Sequence, residues 1–154
     1  MSADTTTPSP SWKEKTADYR VSALAKIPEA WRLPEKYSHL LADPTSSKSV
    51  LHVPGECEIL TPAELKITEE YTAISLAAAL AKRELNAVDV TTAFCKRAAV
   101  AQQLTNCLTE TMFDIAAERA KWLDGYLEKE GKVVGPLHGV PISLKVCQKP
   151  LSPI

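Results

Sequence analysis

The stretch Gly135-Pro-Leu-His-Gly-Val-Pro-Ile-Ser-Leu-Lys145 joins a turn-rich loop to a short apolar alternation. Its glycines and Pro136 favour a loop, whereas the alternation after Gly139 is typical of a β-strand. One face of that strand carries the apolar residues Val140, Ile142 and Leu144. The other face carries Pro141, Ser143 and Lys145. We therefore predict a short strand on which Ser143 and Lys145 share a face.

Upstream of this strand, the pattern predicts a compact helical region that begins at Thr61. A capping residue is followed there by proline and, two positions later, by Glu64, which is the pattern of a capping box. We then expect a helix that buries Ile74, Ala77, Ala78, Ala81 and Leu85 and ends near Asn86. A second helix, capped by Asp89, is expected to bury Val90, Ala93, Phe94, Ala98, Ala101 and Leu104.

A third helix has the clearest periodicity in the chain. It starts at Thr111 to Asp114, and Gly131 is a natural C-terminal stop. Its predicted inner stripe is Phe113, Ala116, Ala117, Ala120, Leu123 and Leu127. Between the second and third helices, residues 106–109 interrupt the period and predict a short strand or an extended link.

The remaining segments contain fewer structural signals. Residues 1–10 predict a disordered terminus, because they have almost nothing to bury. Residues 11–60 read as an N-terminal arm and linker, with a helix over Ser11 to Lys26, a short helix near Pro28 to Arg32 and then a proline-broken connection. Residues 146–154 predict an irregular tail.

Composition favours a soluble, cytoplasmic protein. The 154 residues carry 18 basic and 19 acidic side chains, for a formal net charge of −1, so we expect no nucleic-acid partner. The stretch richest in apolar residues, Ala73 to Ala81, is too short to span a bilayer, so no membrane partner is expected. The start of the chain has no basic residue followed by an apolar run, so we predict no secretory signal there.

Metal binding is not expected. The four cysteines Cys57, Cys95, Cys107 and Cys147 match no metal-knuckle spacing and no disulfide scaffold. His39 and His52 have no ligand-type residue at a suitable spacing. His138, with Gly139 after it, is predicted to shape the loop or to form a hydrogen bond.

The stretch Gly135–Lys145 resembles the segment around the catalytic lysine of amidase-signature enzymes. The stretches Phe94–Ala98 and Leu104–Glu110 look like the fungal acetamidase branch of that family. The resemblance covers about 61–145 and implies the N-terminal part of an α/β amidase-signature fold, mostly α-helical here with one or two short strands. Residues 61–145 would then be the N-terminal part of the amidase domain.

The resemblance also implies a chemistry without metal or cofactor, the hydrolysis of carboxylic amide C–N bonds. A serine nucleophile would lose its proton through a second serine, which has a cis peptide bond, to the amine of Lys145, and backbone N–H groups would hold the oxyanion. A free lysine has a pKa of about 10.4, so such a base needs burial or nearby positive charge.

Both serines of that mechanism belong to a glycine- and serine-rich stretch that this chain lacks. Its glycines, none adjacent to another, are at 55, 125, 131, 135 and 139, and Ser46-Ser47-Lys48-Ser49 reads as a loop. After Lys145 the sequence departs from the family pattern at Val146. We therefore expect a truncated or misread product, or a fragment, that is inactive alone and whose Lys145 stays charged.

The alternative is a non-catalytic helical interaction protein. It would self-associate, or bind a longer relative, through apolar helix faces that the rest of an amidase sheet would otherwise cover.

Overall fold

A computed structural model of the protein describes residues 11–41 and 48–144. In these ranges the regular structure is helical. The α-helices are α1 (Trp12–Ala25), α2 (Ser38–Leu41), α3 (Val53–Glu56), α4 (Pro62–Glu69), α5 (Ala73–Ala81), α6 (Ala87–Thr105) and α7 (Phe113–Glu130). Two 3₁₀-helices, Glu29–Trp31 and Glu35–Tyr37, precede α2. No helix of the described ranges is both long and apolar enough to cross a membrane.

Helix α6 is the centre of the structure, because it contacts α2, α3, α4 and α7. It begins after Asn86, whose side-chain oxygen accepts a hydrogen bond from the backbone N–H of Asp89 at 2.7 Å. The predicted cap was Asp89, which was wrong: Asp89 lies in the first turn and Asn86 is the cap. Both residue types favour this position, so composition alone did not decide between them. The helix ends at Asn106, which is in the left-handed region with φ 49°.

One hydrophobic core forms between α5, α6 and α7, and we call it the α5–α7 core. Its buried residues are Ile67, Leu76, Leu80, Ala87, Val90, Ala93, Ala120 and Leu123. The predicted inner stripe of α5 was wrong, because Ile74 is 84% exposed whereas Leu76, Ala79 and Leu80 are buried. The stretch from Leu76 to Leu80 is apolar nearly all round, so its periodicity does not single out one face.

The structure agrees with the prediction most closely in helix α7. Ala120, Leu123 and Leu127 are buried on the expected stripe, and Phe113, Ala116 and Ala117 are half-buried beside them. Gly131 ends the helix with φ 68°, a conformation that glycine adopts without the steric cost that a Cβ brings. Thr61 likewise caps α4 in the predicted capping box with Glu64.

A second core attaches the arm to α6. Its buried residues are Tyr37, Val53, Cys57, Leu60 and Val100. The side chain of Gln103 adds two polar links, since its Oε1 accepts from Leu33 N at 2.9 Å and its Nε2 donates to Trp31 O at 2.9 Å.

Helix α1 has the expected extent, but only Ala23 in it is buried, so its predicted apolar stripe is mostly exposed.

The predicted strands do not form within the described ranges. Residues 106–109 form an irregular link that begins with the left-handed Asn106, and the Leu108 N–H donates to the Gln102 side chain at 2.6 Å. Residues 140–144 form no ladder, and Val140 N donates to Leu137 O at 3.1 Å within a turn. A strand needs a neighbouring strand for its hydrogen bonds, and the described part of the chain supplies none here.

Candidate functional site

The predicted site residue Lys145 follows directly on Leu144 and lies outside the described residues. The structure therefore describes the segment that leads to it. That segment is a tight double turn, in which His138 N donates to Gly135 O at 3.2 Å and Val140 N donates to Leu137 O at 3.1 Å. We call residues 134–140 the lysine-leading turn.

The side chain of His138 lies inside this turn and is only 4% exposed. Its Nδ1 accepts a hydrogen bond from the backbone N–H of Val134 at 3.3 Å, which confirms the predicted hydrogen-bonding histidine. Its Nε2 is buried and has no partner among the residues described. Burial lowers the pKa of His138, the Asp124 carboxylate raises it and the Arg119 guanidinium lowers it, with a net lowering.

Gly139 fixes the turn against the helices. Its φ is +74°, and a Cβ there would lie 3.0 Å from the Cβ of Ala87 and 3.2 Å from the side chain of Leu80. Any larger residue would combine backbone strain with a collision against α5 and α6. The position after His138 is therefore restricted to glycine by its contacts and by its conformation.

Asp124 links α7 to the start of α6 close to this turn. Its two carboxylate oxygens accept from Ala87 N at 2.7 Å and Val88 N at 3.0 Å, two donors that no residue inside α6 can satisfy. A negative charge at a helix N-terminus also complements the helix dipole. Nothing in the local sequence points to Asp124, because a contact across 36 or 37 positions leaves no local signal.

Arg83 makes a similar link about one turn further along α7. Its Nη2 donates to the carbonyl of Leu127 at 2.7 Å, and its own φ is 61°. Between these two links lies a shallow groove of about 590 Å³ whose lining includes Arg83, Asn86, Asp89, Asp124 and Glu128. Asn86 and Asp124 already accept hydrogen bonds from the first backbone N–H groups of α6, so these two groove residues have a structural role.

Past Gly139 the segment becomes progressively more exposed. Val140 and Pro141 are half-buried, whereas Ile142 is 65% and Leu144 70% exposed. Ser143, predicted to share a face with Lys145, is also exposed. The helices thus hold the start of the segment and leave its end uncovered.

No metal site is found within residues 11–41 and 48–144. The ring Nδ1 of His39 lies 2.9 Å from the backbone oxygen of Lys36. Cys57, Cys95 and Cys107 are free thiols, and burial raises the pKa of Cys95. Cys147 lies outside the described residues.

Comparison with known proteins gives a consistent result. The sequence model of the family described as "Amidase" matches residues 89–149. An amidase of Gibberella moniliformis is 52% identical over 134 residues, which are 87% of this chain and 25% of that protein. An acetamidase of Emericella nidulans is 49% identical over 135 residues, 88% of this chain and 23% of that protein.

A solved structure supports the same relationship at the level of the fold. The structure of a fatty acid amide hydrolase superposes with a TM-score of 0.69 at 36% identity, covering 84% of this chain and 22% of that one. The chain thus spans about a quarter of the length of the curated relatives it matches.

Proposed function

Because this chain belongs to the amidase-signature family, we propose that it forms the N-terminal part of a hydrolase of carboxylic amide C–N bonds. Lys145 is the base in this proposal, and residues 61–145 are the part of the amidase domain that delivers it. The observation that carries the proposal is the family match over residues 89–149, which includes Lys145 and the lysine-leading turn. The products are a carboxylate and ammonia or an amine.

The chemistry divides between this chain and polypeptide beyond it. In our proposal, a serine hydroxyl from elsewhere in the fold attacks the amide carbon. Its proton passes through a second serine to the neutral amine of Lys145, and backbone N–H groups hold the oxyanion. No metal or cofactor takes part. The 154 residues alone would lack the nucleophile, and their Lys145 would stay charged.

Strand formation is part of the proposal. Residues 140–144 have no regular secondary structure and become increasingly exposed, and such a segment has its backbone groups available for ladder partners. We propose that they join a β-sheet in the complete α/β fold, with the helices described here on one of its faces. The sheet would also bury Lys145 and so lower the pKa of its amine toward neutral pH, where a neutral amine can act as a base.

A chimera tests the catalytic proposal. Residues 1–145 would replace the matching quarter of the Gibberella moniliformis amidase, and ammonia release would be measured with small amides, beginning with acetamide. Because a general base contributes about 10²- to 10⁴-fold, Lys145→Ala should lower kcat by that factor. Lys132→Ala, an exposed lysine before the turn, is the matched control and should leave kcat unchanged.

The outcomes are clearly separated. A Lys145→Ala chimera as active as its parent would refute the assignment of the base. The unmodified 154-residue chain should release no ammonia above its own Lys145→Ala variant. Lysine-dependent release by that chain would refute the division of the site between two stretches of polypeptide.

The location is proposed to be cytoplasmic. The free thiols of Cys57, Cys95 and Cys107 agree with a reducing compartment, where disulfides are rare. Imaging of a fluorescent fusion in native cells checks this, and accumulation inside an organelle would contradict it.

A second candidate, a non-catalytic helical interaction protein, is favoured by one observation. Helix α7 exposes Ile115 by 63% and Trp122 by 49%, and Trp122 stacks on Tyr126 with ring centroids 5.3 Å apart. Such a patch favours self-association. Size-exclusion chromatography at increasing concentration separates the two candidates, because a concentration-independent monomer with a cooperative melt would count against self-association.

A further inference from the structure

The ring of His138 can form its hydrogen bond in only one charge state. The backbone of Val134 offers an N–H, so Nδ1 must present a lone pair to accept it at 3.3 Å. The neutral ring then carries its proton on Nε2. A charged imidazolium would hold protons on both nitrogens, so it would lose the bond to Val134 and bury two N–H groups without acceptors among the described residues.

The surroundings of the ring also disfavour the charged form. Two charged side chains act on it, Asp124 and Arg119, both on α7 and of opposite sign. The α5 and α6 residues packed against the adjacent Gly139 are Leu80 and Ala87, which bring no charge. Burial therefore decides the balance, and the ring is 4% exposed.

This ring controls the shape of the lysine-leading turn. Its bond to Val134 closes the turn at one end, and Gly139, which lies so near Ala87 that a Cβ on it would be 3.0 Å from the Ala87 Cβ, closes it at the other. The next residue, Val140, still packs against the α5–α7 core, and the side chains of Ile142 to Leu144 are exposed. The turn and the contact of Val140 thus set where residues 141–144 leave the helices.

We propose that neutral His138 is a positioning residue for Lys145, holding the turn that aims the lysine-bearing segment. This inference rests on the proposed function, since it gives Lys145 a reaction to serve. A histidine that served only as packing would not need an unprotonated Nδ1, so the two roles can be distinguished by charge state and by substitution.

Two variants test the roles of the two ring nitrogens separately. In His138→Asn, Oδ1 replaces Nδ1 as an acceptor for Val134, and it does not titrate. In His138→Gln, the terminal amide reaches the position of Nε2 and no acceptor faces Val134. Packing is disturbed in both variants, and far-UV circular dichroism melts show whether each remains folded.

Hydrogen exchange of the ¹⁵N-labelled chain is the first readout. We expect the protection factor of the Val134 amide, corrected for intrinsic exchange, to fall about two- to tenfold as pH drops below 6.5 toward the lowered pKa of His138. In His138→Asn it should stay high and independent of pH, and in His138→Gln it should be low throughout. The Leu123 amide, in the core of α7, is the internal reference. Val134 protection that does not respond to pH in the parent chain would overturn the proposal.

Kinetics of the chimera are the second readout. A misplacement of about 1 Å can cost about a hundredfold, so His138→Gln should lower kcat about ten- to a hundredfold with KM unchanged, and His138→Asn should restore most of it. Equal loss of kcat in both folded variants would overturn the proposal. If Lys145→Ala proves active, the proposed function and the positioning role fail together, whereas the exchange data still decide whether the turn requires a neutral ring.

Discussion

Replacing Asp124 should detach the start of α6 from α7. In Asp124→Ala, Ala87 N and Val88 N lose acceptors at 2.7 and 3.0 Å. A hydrogen bond to a charged group contributes about 1.5–3 kcal/mol, so two give an upper value of about 3–6 kcal/mol. Because Asp124 is half-buried, water can replace part of this, and we expect a loss of about 2–4 kcal/mol in the free energy of unfolding.

Urea denaturation followed by circular dichroism measures this loss. Asp124→Asn keeps one acceptor oxygen but turns an amide N–H₂ toward the other donor, so it should lose roughly half as much. Glu128→Ala, an exposed acidic residue on the next turn of α7, is the matched control and should change stability by less than about 0.5 kcal/mol. If Asp124→Ala and Glu128→Ala have the same midpoint and slope, the cross-helix cap does not hold these helices together.

Two further predictions use other contacts of the described residues. Gly139→Ala should lower the free energy of unfolding by about 2–4 kcal/mol, because the new Cβ adds left-handed strain and a close contact with Ala87. Gly125→Ala, at a helical position with open space around it, should raise the free energy of unfolding by about 0.5–1 kcal/mol. Equal effects of the two substitutions in urea melts would contradict this. Burial raises the pKa of Glu64, but hydrogen bonds from Lys96 and from Thr61 of its own helix cap together lower the pKa by more, so the net effect is a lowering. Because the folded state then binds fewer protons than the unfolded one, stability should fall as pH drops below about 4.5, and Glu64→Gln should flatten this dependence in pH-dependent melts. An unchanged slope in Glu64→Gln would count against the ion pair, whose nitrogen lies 2.7 Å from one carboxylate oxygen.

The sequence predicted those elements whose signals are local. Helix α7 has a long periodic stripe and a glycine stop, and both were confirmed by the structure. The Thr61 capping box also needs only neighbouring residues, and it too was confirmed. In α5 the run of alanines and leucines offered several equivalent faces, so the choice of Ile74 as buried was wrong. Which face packs was decided by α6 and α7, not by α5 itself.

In the candidate site, too, the features with local signals were predicted and those with long-range contacts were not. The motif located the lysine-leading turn and the hydrogen-bonding role of His138. Asp124 and Arg83 were missed, because each bonds to backbone atoms more than 30 positions away, and such a separation leaves no local signal. The arm was expected to end in a proline-broken connection, yet Tyr37 and Val53 are buried in a core shared with Val100 of α6, and no periodicity of the sequence predicts these contacts.

The contacts of the lysine-leading turn bear on the sheet that we propose for the complete fold. Gly139 lies against Leu80 of α5 and Ala87 of α6, and Asp124 links α6 to α7, so these three helices form a platform under the turn. Beyond it, exposure rises to 70% at Leu144, so the energy for ordering residues 140–144 must come from partners outside the described helices. In our proposal, the helical platform thus defines where the segment starts, and ladder formation defines the position of Lys145. A substitution in the platform should therefore alter catalysis through kcat in the chimera even when it lies far from the reacting amide.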